Sequence, residues 1–194
     1  MSSDTAQNSS EKILAAATRI AQAHGYGGLN LRALAEQVGI KAASLYHHFP
    51  SKAALAAAVA RRYAEESVMT LEAILKESEG AEECLLRYPQ TFRRSLENEN
   101  RICLCSFMTA EYDDLPAEVQ KQVQAFADVN VDWLSKVLQM AGVKRKQAEQ
   151  RARGIFAAVS GAQLMARGRA DIKLFDSIMK GYRDAGLFSA HKTD

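Results

Sequence analysis

The sequence predicts an all-α protein: an N-terminal three-helix helix-turn-helix head joined by a long helix to a C-terminal helical body. Three observations predict it. Apolar residues recur at helical spacing in one segment after another, and no segment alternates like a strand. Alanine supplies 33 of the 194 residues and only three prolines interrupt them, a composition that suits helices. Charge is divided unevenly. Residues 1–62 hold seven Lys or Arg against three acids, a net of +4, whereas residues 63–194 hold 18 against 20, a net of −2. The whole-chain value of +2 names no partner, but a basic first third on a mildly acidic remainder reads as two modules with different partners.

Each element has its own signals. Residues 1–8 are expected as a disordered tail. The first helix is placed from Ser9 or Ser10 to about His24, with Ile13, Leu14, Ala17, Ile20 and Ala21 forming one stripe and Gly25 as its stop. Asn30 caps a short helix, Leu31 to Val38, that ends at Gly39. A third helix runs from about Lys41 to His48 and stops before Pro50, since the residue before a proline disfavours helix. Ser51 then caps a long helix from Lys52 to about Glu79, with apolar positions from Leu55 to Leu75 and a break at Gly80. Further helices are expected at roughly Ala81 to Glu97, Ile102 to Tyr112, Pro116 to Met140, Lys144 to Arg167 and Asp171 to Ala185. Pro89 falls inside the first of these and predicts a kink or an early boundary. Three short helices before a long one make a helix-turn-helix arrangement.

Composition also excludes function classes. Three cysteines cannot form a full disulfide framework, which points to a reducing compartment. The N-terminus carries no signal-peptide pattern, and the longest apolar run, Ala53 to Ala60, falls far short of the roughly 20 residues of a membrane span. A soluble, cytoplasmic protein with no membrane partner is expected. No Gly-rich phosphate loop, Gly-x-Ser-x-Gly elbow or His-Glu-x-x-His motif is present, so no catalytic residue, cofactor or metal site is assigned.

The third helix carries the functional signal. On a wheel of about 100° per residue, Ala42, Leu45 and Phe49 share a face that packs, with Ile40, on the first two helices. The opposite face presents Ala43, Ser44, Tyr46 and His47. Alanines let a helix sink into the major groove and touch thymine methyls, Ser44 suits a base edge or a phosphate, and Tyr46 and His47 are long enough for backbone oxygens. Lys52 and the unpaired N–H groups of the long helix's first turn add a phosphate clamp. The plainer alternative is that Tyr46, His47 and His48 only decorate a helical surface.

Residues 39–52, Gly-Ile-Lys-Ala-Ala-Ser-Leu-Tyr-His-His-Phe-Pro-Ser-Lys, closely resemble the recognition segment of the TetR family of bacterial one-component transcriptional repressors. Gly25-Tyr26, Leu31, Leu34-Ala35 and Val38-Gly39 also fall where that family's pattern places them. The resemblance is highly specific over residues 9–62. Beyond them it is looser, resting on helical layout, total length and the phrase Arg101-Ile102-Cys103-Leu104 with Ala110-Glu111. It implies a DNA-binding domain over 9–62 and a ligand-binding and dimerisation domain over 63–194. The implied DNA contacts are Asn30, Arg32, Lys41, Ala42, Ala43, Ser44, Tyr46, His47, His48 and Lys52. Asn30 stands where the family often has Thr, which keeps capping and a phosphate bond possible. Lys41 lies one residue before the family's usual lysine, so it reaches phosphate more readily than a base.

The resemblance further implies a homodimer held by the last two helices. The matching residues are Ile155, Val159, Ala162 and Met165 on the first, and Phe175, Ile178, Met179 and Tyr182 on the second; ordinary core is the alternative. A small-molecule effector pocket in the middle helices would be lined by Phe92, Leu96, Cys103, Phe107, Met108, Trp133, Val137, Met140 and Phe156, although for each of them the residues alone favour plain core. The overall expectation is a homodimeric repressor on a palindromic double-stranded DNA operator, released by an effector. Two alternatives stand beside it: a DNA-binding adaptor whose C-terminal domain recruits a protein, and a redox- or electrophile-sensing repressor using Cys103. Cys103 and Cys105 point about 200° apart on a helix and suit neither a local disulfide nor a shared metal; Arg101, and a helix N-terminus if Cys103 lies in its first turn, would make Cys103 reactive, with a buried structural cysteine as the alternative.

Overall fold

A computed structural model describes the backbone of residues 2–189 and the side chains of residues 9–189; Met1 and residues 190–194 lie outside it. Among the described residues the elements are α1 (Ser2–His24), α2 (Leu31–Val38), α3 (Ala42–His48), α4 (Lys52–Glu77), α5 (Ala81–Glu97), α6 (Leu104–Ala110), a 3-10 turn (Tyr112–Asp114), α7 (Ala117–Met140), α8 (Arg145–Gly168) and α9 (Ile172–Asp184), with no strand. The bounds of α2 and α5 are those the sequence predicts.

Three elements depart from expectation. The segment expected as a disordered tail is helical from Ser2 onward, because residues 2–8 contain no glycine or proline to stop a helix that already forms behind them. Pro89 brings no early boundary, and α5 continues to Glu97. Its missing N–H forfeits one helical bond, but Leu85, Tyr88, Phe92 and Leu96 are buried along the helix and hold it by packing. The helix expected from Ile102 to Tyr112 is shorter, Leu104–Ala110. Glu99 and Asn100 turn the chain at φ 55° and 57°, and the Cys103 N–H donates to the Gln163 side chain instead of to a preceding carbonyl.

Packing divides the chain into two compact units. The first comprises residues up to Ala64 together with Leu104–Phe126; the second comprises Glu65–Cys103 and the chain from Ala127 onward. The sequence places its division at residue 62, whereas by packing the first unit also takes in α6, the 3-10 turn and the start of α7.

In the first unit α1 packs on α2 and α6, and α2 on α3. Ile13, Leu34, Leu45, Leu55 and Met108 are fully buried, each contributing about 1.5–3 kcal/mol of transfer energy. The Asn30 side chain accepts from the Arg32 and Ala33 N–H groups at 3.0 and 3.1 Å and so starts α2, and Ser51 Oγ accepts from the Ala54 N–H at 3.0 Å at the start of α4. Arg62 pairs with Glu11 at 2.7 Å, and the Tyr63 and Phe126 rings lie 5.5 Å apart.

In the second unit α5 packs on α8 and α9, and α8 on α9. Its core includes Leu85, Tyr88, Leu134, Val137, Ile155, Val159 and Phe175. Gln163 is buried but satisfied, since its Nε2 donates to the Phe92 carbonyl at 2.6 Å while its Oε1 accepts from Cys103. The Tyr88 hydroxyl donates to Asn130 at 3.0 Å, and burial raises it well above the ordinary tyrosine range.

Of the residues expected at a dimer interface, Ile155, Val159, Ala162, Phe175 and Met179 are buried within the single chain, where α5, α8 and α9 meet. Met165 is 57% exposed and its neighbour Leu164 59%, while Ile178 and Tyr182 are half-buried. No helix among the described residues is long and apolar enough to cross a membrane.

Candidate nucleic-acid interface

The chemistry of α3 is sorted by its two faces. Leu45, fully buried, and Phe49 anchor it to the unit, while Ala43, Ser44, Tyr46 and His47 are exposed on the other side, as the wheel predicts. Tyr46 is 44% exposed, a large ring left in solvent on a helix of seven residues. Ala42 is half-buried. His48 is also half-buried, its ring 6.4 Å from Phe49 and 5.9 Å from His47, so it belongs as much to the packing as to the surface. Arg32, in the first turn of α2, and Lys41, at the N-cap of α3, are exposed.

Two groups expected to bind phosphate have partners within the fold. The Lys52 ammonium donates to the Gly27 carbonyl at 3.1 Å and lies 4.4 Å from the centre of the Tyr26 ring, a cation–π contact. Of the first-turn N–H groups of α4 expected to bind phosphate, that of Ala54 is already taken by Ser51. Asn30 spends its carbonyl oxygen on the α2 cap, which leaves its amide nitrogen for an outside acceptor.

The turn from Gly25 to Gly28 joins α1 to α2 and therefore sets where α3 sits. Gly25 has φ +65°, a conformation that strains any residue with a Cβ, and a Cβ there would lie 2.1 Å from Glu111 Oε2, so a larger residue would also push the carboxylate aside. The Tyr26 N–H donates to Glu111 Oε2 at 2.6 Å and the Gly27 N–H to Oε1 at 3.1 Å. Two successive amides thus converge on one carboxylate from the segment after α6. The Tyr26 hydroxyl is raised above its ordinary range, first by burial and then by the negative charge of Glu118. Sequence reasoning singled out Gly25-Tyr26 and Ala110-Glu111 separately but did not join them, because helical periodicity carries no signal across 85 residues.

The predicted effector residues are only partly brought together. Phe92, Trp133 and Phe156 share an aromatic cluster centred on Tyr88, which the sequence reading missed. Tyr88 lies 5.7 Å from Phe92 and stacks on Trp133 at 5.8 Å, and Phe92 lies 6.2 Å from Phe156. Leu96, Cys103 and Val137 are buried in the same unit. Met140 is 57% exposed at the end of α7 and lines no interior, and Phe107 and Met108 pack with the first unit. Within the cluster's helices Trp133 Nε1 and Ser160 Oγ are buried without a hydrogen-bond partner. A separate groove of about 470 Å³, open to solvent, runs between Met69, Ala73 and Ile74 of α4 and Arg87 and Arg94 of α5, and none of the predicted effector residues lines it.

Cys103 directly precedes α6, as the expectation of a helix N-terminus requires, but its thiol is shut away from solvent. All three cysteines are free and buried, Cys103 at 2% exposure, and the Arg101 guanidinium is engaged by Glu99 at 2.8 Å. Among the described residues no group of His, Cys, Asp and Glu side chains is placed to hold a metal ion.

Comparison with known proteins follows the same two-part plan. The family model for bacterial regulatory proteins of the tetR family matches residues 13–59, and that for the C-terminal domain of LmrA/YxaF-like transcriptional regulators matches residues 79–181. A TetR transcriptional regulator from Legionella pneumophila is similar at 27% identity and a TM-score of 0.85, over 90% of this chain and 95% of that one. A TetR-family regulator from Agrobacterium tumefaciens matches at 27% identity and 0.85, over 93% and 98%. The reduced form of NemR from E. coli shares the fold at 21% identity and 0.80, over 91% and 96%. A search of curated proteins returns no match.

Proposed function

The chain belongs to the TetR family of bacterial regulatory proteins and is a DNA-binding transcriptional regulator, and from that premise we propose that it is a homodimeric repressor which binds a palindromic operator and leaves it when a small molecule occupies the second unit. The observation that carries the reading is the exposed face of α3, where Ala43, Ser44, Tyr46 and His47 stand over the buried Leu45 and Phe49. Small residues admit the helix to a major groove, and the hydroxyl and imidazole groups beside them reach base edges and phosphates. Lys41 at the start of α3 and the exposed Arg32 of α2 would supply sequence-independent attraction. A DNA target and membership of a bacterial regulator family support a cytoplasmic location.

Support for a dimer comes from Leu164 and Met165, adjacent apolar residues exposed on α8, with half-buried Ile178 and Tyr182 on α9. Support for an effector comes from the Tyr88, Phe92, Trp133 and Phe156 rings together with the unpaired Trp133 Nε1 and Ser160 Oγ. Buried donors nearly always have partners, so an aromatic or apolar molecule carrying an acceptor suits this cluster. Helix α4 runs unbroken from Lys52 to Glu77 and belongs to both units, which makes it the element that would carry a shift from effector to head. Near-complete release requires the effector to prefer the non-binding state by about 5.5 kcal/mol.

Selection of bound duplex from a random pool tests the operator and the dimer together. A palindrome with half-site centres roughly 34 Å apart or slightly more supports the reading; a single non-repeated site bound by a sedimenting monomer overturns it. Trp133 is the only tryptophan, so its fluorescence reports an effector directly.

A further inference from the structure

We propose that Glu111 is a positioning residue for DNA binding: by accepting the Tyr26 and Gly27 amides on its two carboxylate oxygens, it holds the head in the orientation that reads DNA. The proposal rests on the DNA-reading role of α3. Glu111 lies on the segment between α6 and the 3-10 turn, 85 residues from Tyr26. Its carboxylate fills the space that a side chain at position 25 would need. On the carbonyl side of the same dipeptide, Lys52 at the start of α4 donates to Gly27.

The Tyr26–Gly27 peptides are therefore gripped by an anion through their N–H groups and by a cation through a carbonyl oxygen. A Gly-Tyr-Gly-Gly turn has little conformational preference of its own. These two grips fix the angle at which α1 hands the chain to α2, and through α2 they fix α3. Glu111 is a carboxylate and would repel phosphate, so it favours DNA binding only through the turn. The segment that carries it is continuous with the second unit at both ends, at Cys103 and at Ala127.

If the clamp selects one head orientation, its loss lowers the fraction of molecules competent to bind, and apparent affinity falls by that fraction without any phosphate contact being lost. The test uses the full chain and Glu111→Gln, which keeps the side-chain volume but sets an NH2 group against one of the two N–H donors. Glu111→Ala removes both acceptors, and Asp113→Asn, an exposed neighbour, is the control. Binding to the duplex selected from a random pool is measured across a salt series.

The expected result is a loss of several-fold for Glu111→Gln and about tenfold for Glu111→Ala, with the slope of log affinity against log salt unchanged from wild type. The Tyr26 and Gly27 amide protons should shift upfield and exchange faster, while amides in α8 keep their protection. Affinity equal to or higher than wild type overturns the proposal, as does a loss accompanied by lowered protection throughout α8, which would mark a general structural role. If the wild-type chain binds no duplex, the DNA-reading role itself fails, and unshifted Tyr26 and Gly27 amides would overturn the clamp independently.

Discussion

Arg93 on α5 and Asp176 on α9 meet as a two-point ion pair, with the guanidinium Nε 2.7 Å from Oδ1 and a terminal nitrogen 2.9 Å from Oδ2. Arg93 also pairs with Glu97. Hydrogen bonding from Arg93 holds the Asp176 carboxyl below the usual carboxylate range, against a smaller opposing effect of burial. A carboxylate lowered in the folded state stabilises at and above its unfolded value, about 3.9, and that contribution disappears as pH falls through the lowered native value. Because the Asp176 side chain is 46% exposed, Asp176→Asn should cost only about 0.5–1 kcal/mol at pH 7. Urea melts of the two proteins should converge as pH falls below about 4.

Gln163 should be far less tolerant. Gln163→Leu leaves the buried Cys103 N–H without its acceptor, at a cost of about 1–3 kcal/mol. The Phe92 carbonyl suffers less, since it retains the acceptor capacity used within α5. A denaturation midpoint equal to wild type would show that water replaces the amide.

Ala170 follows α8 at φ +49°, a left-handed conformation that costs a residue with a Cβ about 1–2 kcal/mol. Ala170→Gly relieves that strain while loosening the unfolded chain, so a net gain of about 0.5–1 kcal/mol is expected, read as a raised melting temperature. A lowered melting temperature would mean that the turn is not under strain.

On the reading face, Tyr46→Phe should weaken operator and non-specific duplex alike, and Lys41→Ala should lower the salt slope by about one. Changes at Ala43 or Ser44 should alter which sequence is preferred. Lys52→Ala should also reduce the stability of the head, because its ammonium holds Gly27 and Tyr26. Unchanged DNA affinity in a protein lacking both Tyr46 and Lys52 side chains would remove this segment as the reader.

What could be read from the sequence tracks how local each interaction is. Asn30 and Ser51 cap the helices they precede, and Leu45 and Phe49 mark the buried face of α3, since each depends on neighbours within a turn or two. The apolar stripes of α8 and α9 were equally visible, but a stripe does not say what covers it. Ile155, Val159 and Phe175 read as well for a partner's surface as for the core that they form. Glu111 on Tyr26 and Gln163 between Phe92 and Cys103 lay beyond sequence reading for a different reason. They join residues 85, 71 and 60 positions apart through single polar side chains, and periodicity carries only apolar, short-range information.

The interleaving of the two units also has a consequence for synthesis. Residues up to Ala64 leave the ribosome well before Leu104–Phe126, the stretch that completes their unit. At about 5–20 residues per second, that interval lasts several seconds. Meanwhile the nascent helix-turn-helix displays the unpaired Tyr26 and Gly27 amides and an uncovered face of α1. Its native form waits for a piece of chain that arrives only after the first part of the other unit has been made, so a gene fragment ending at residue 64 would encode a head without its brace.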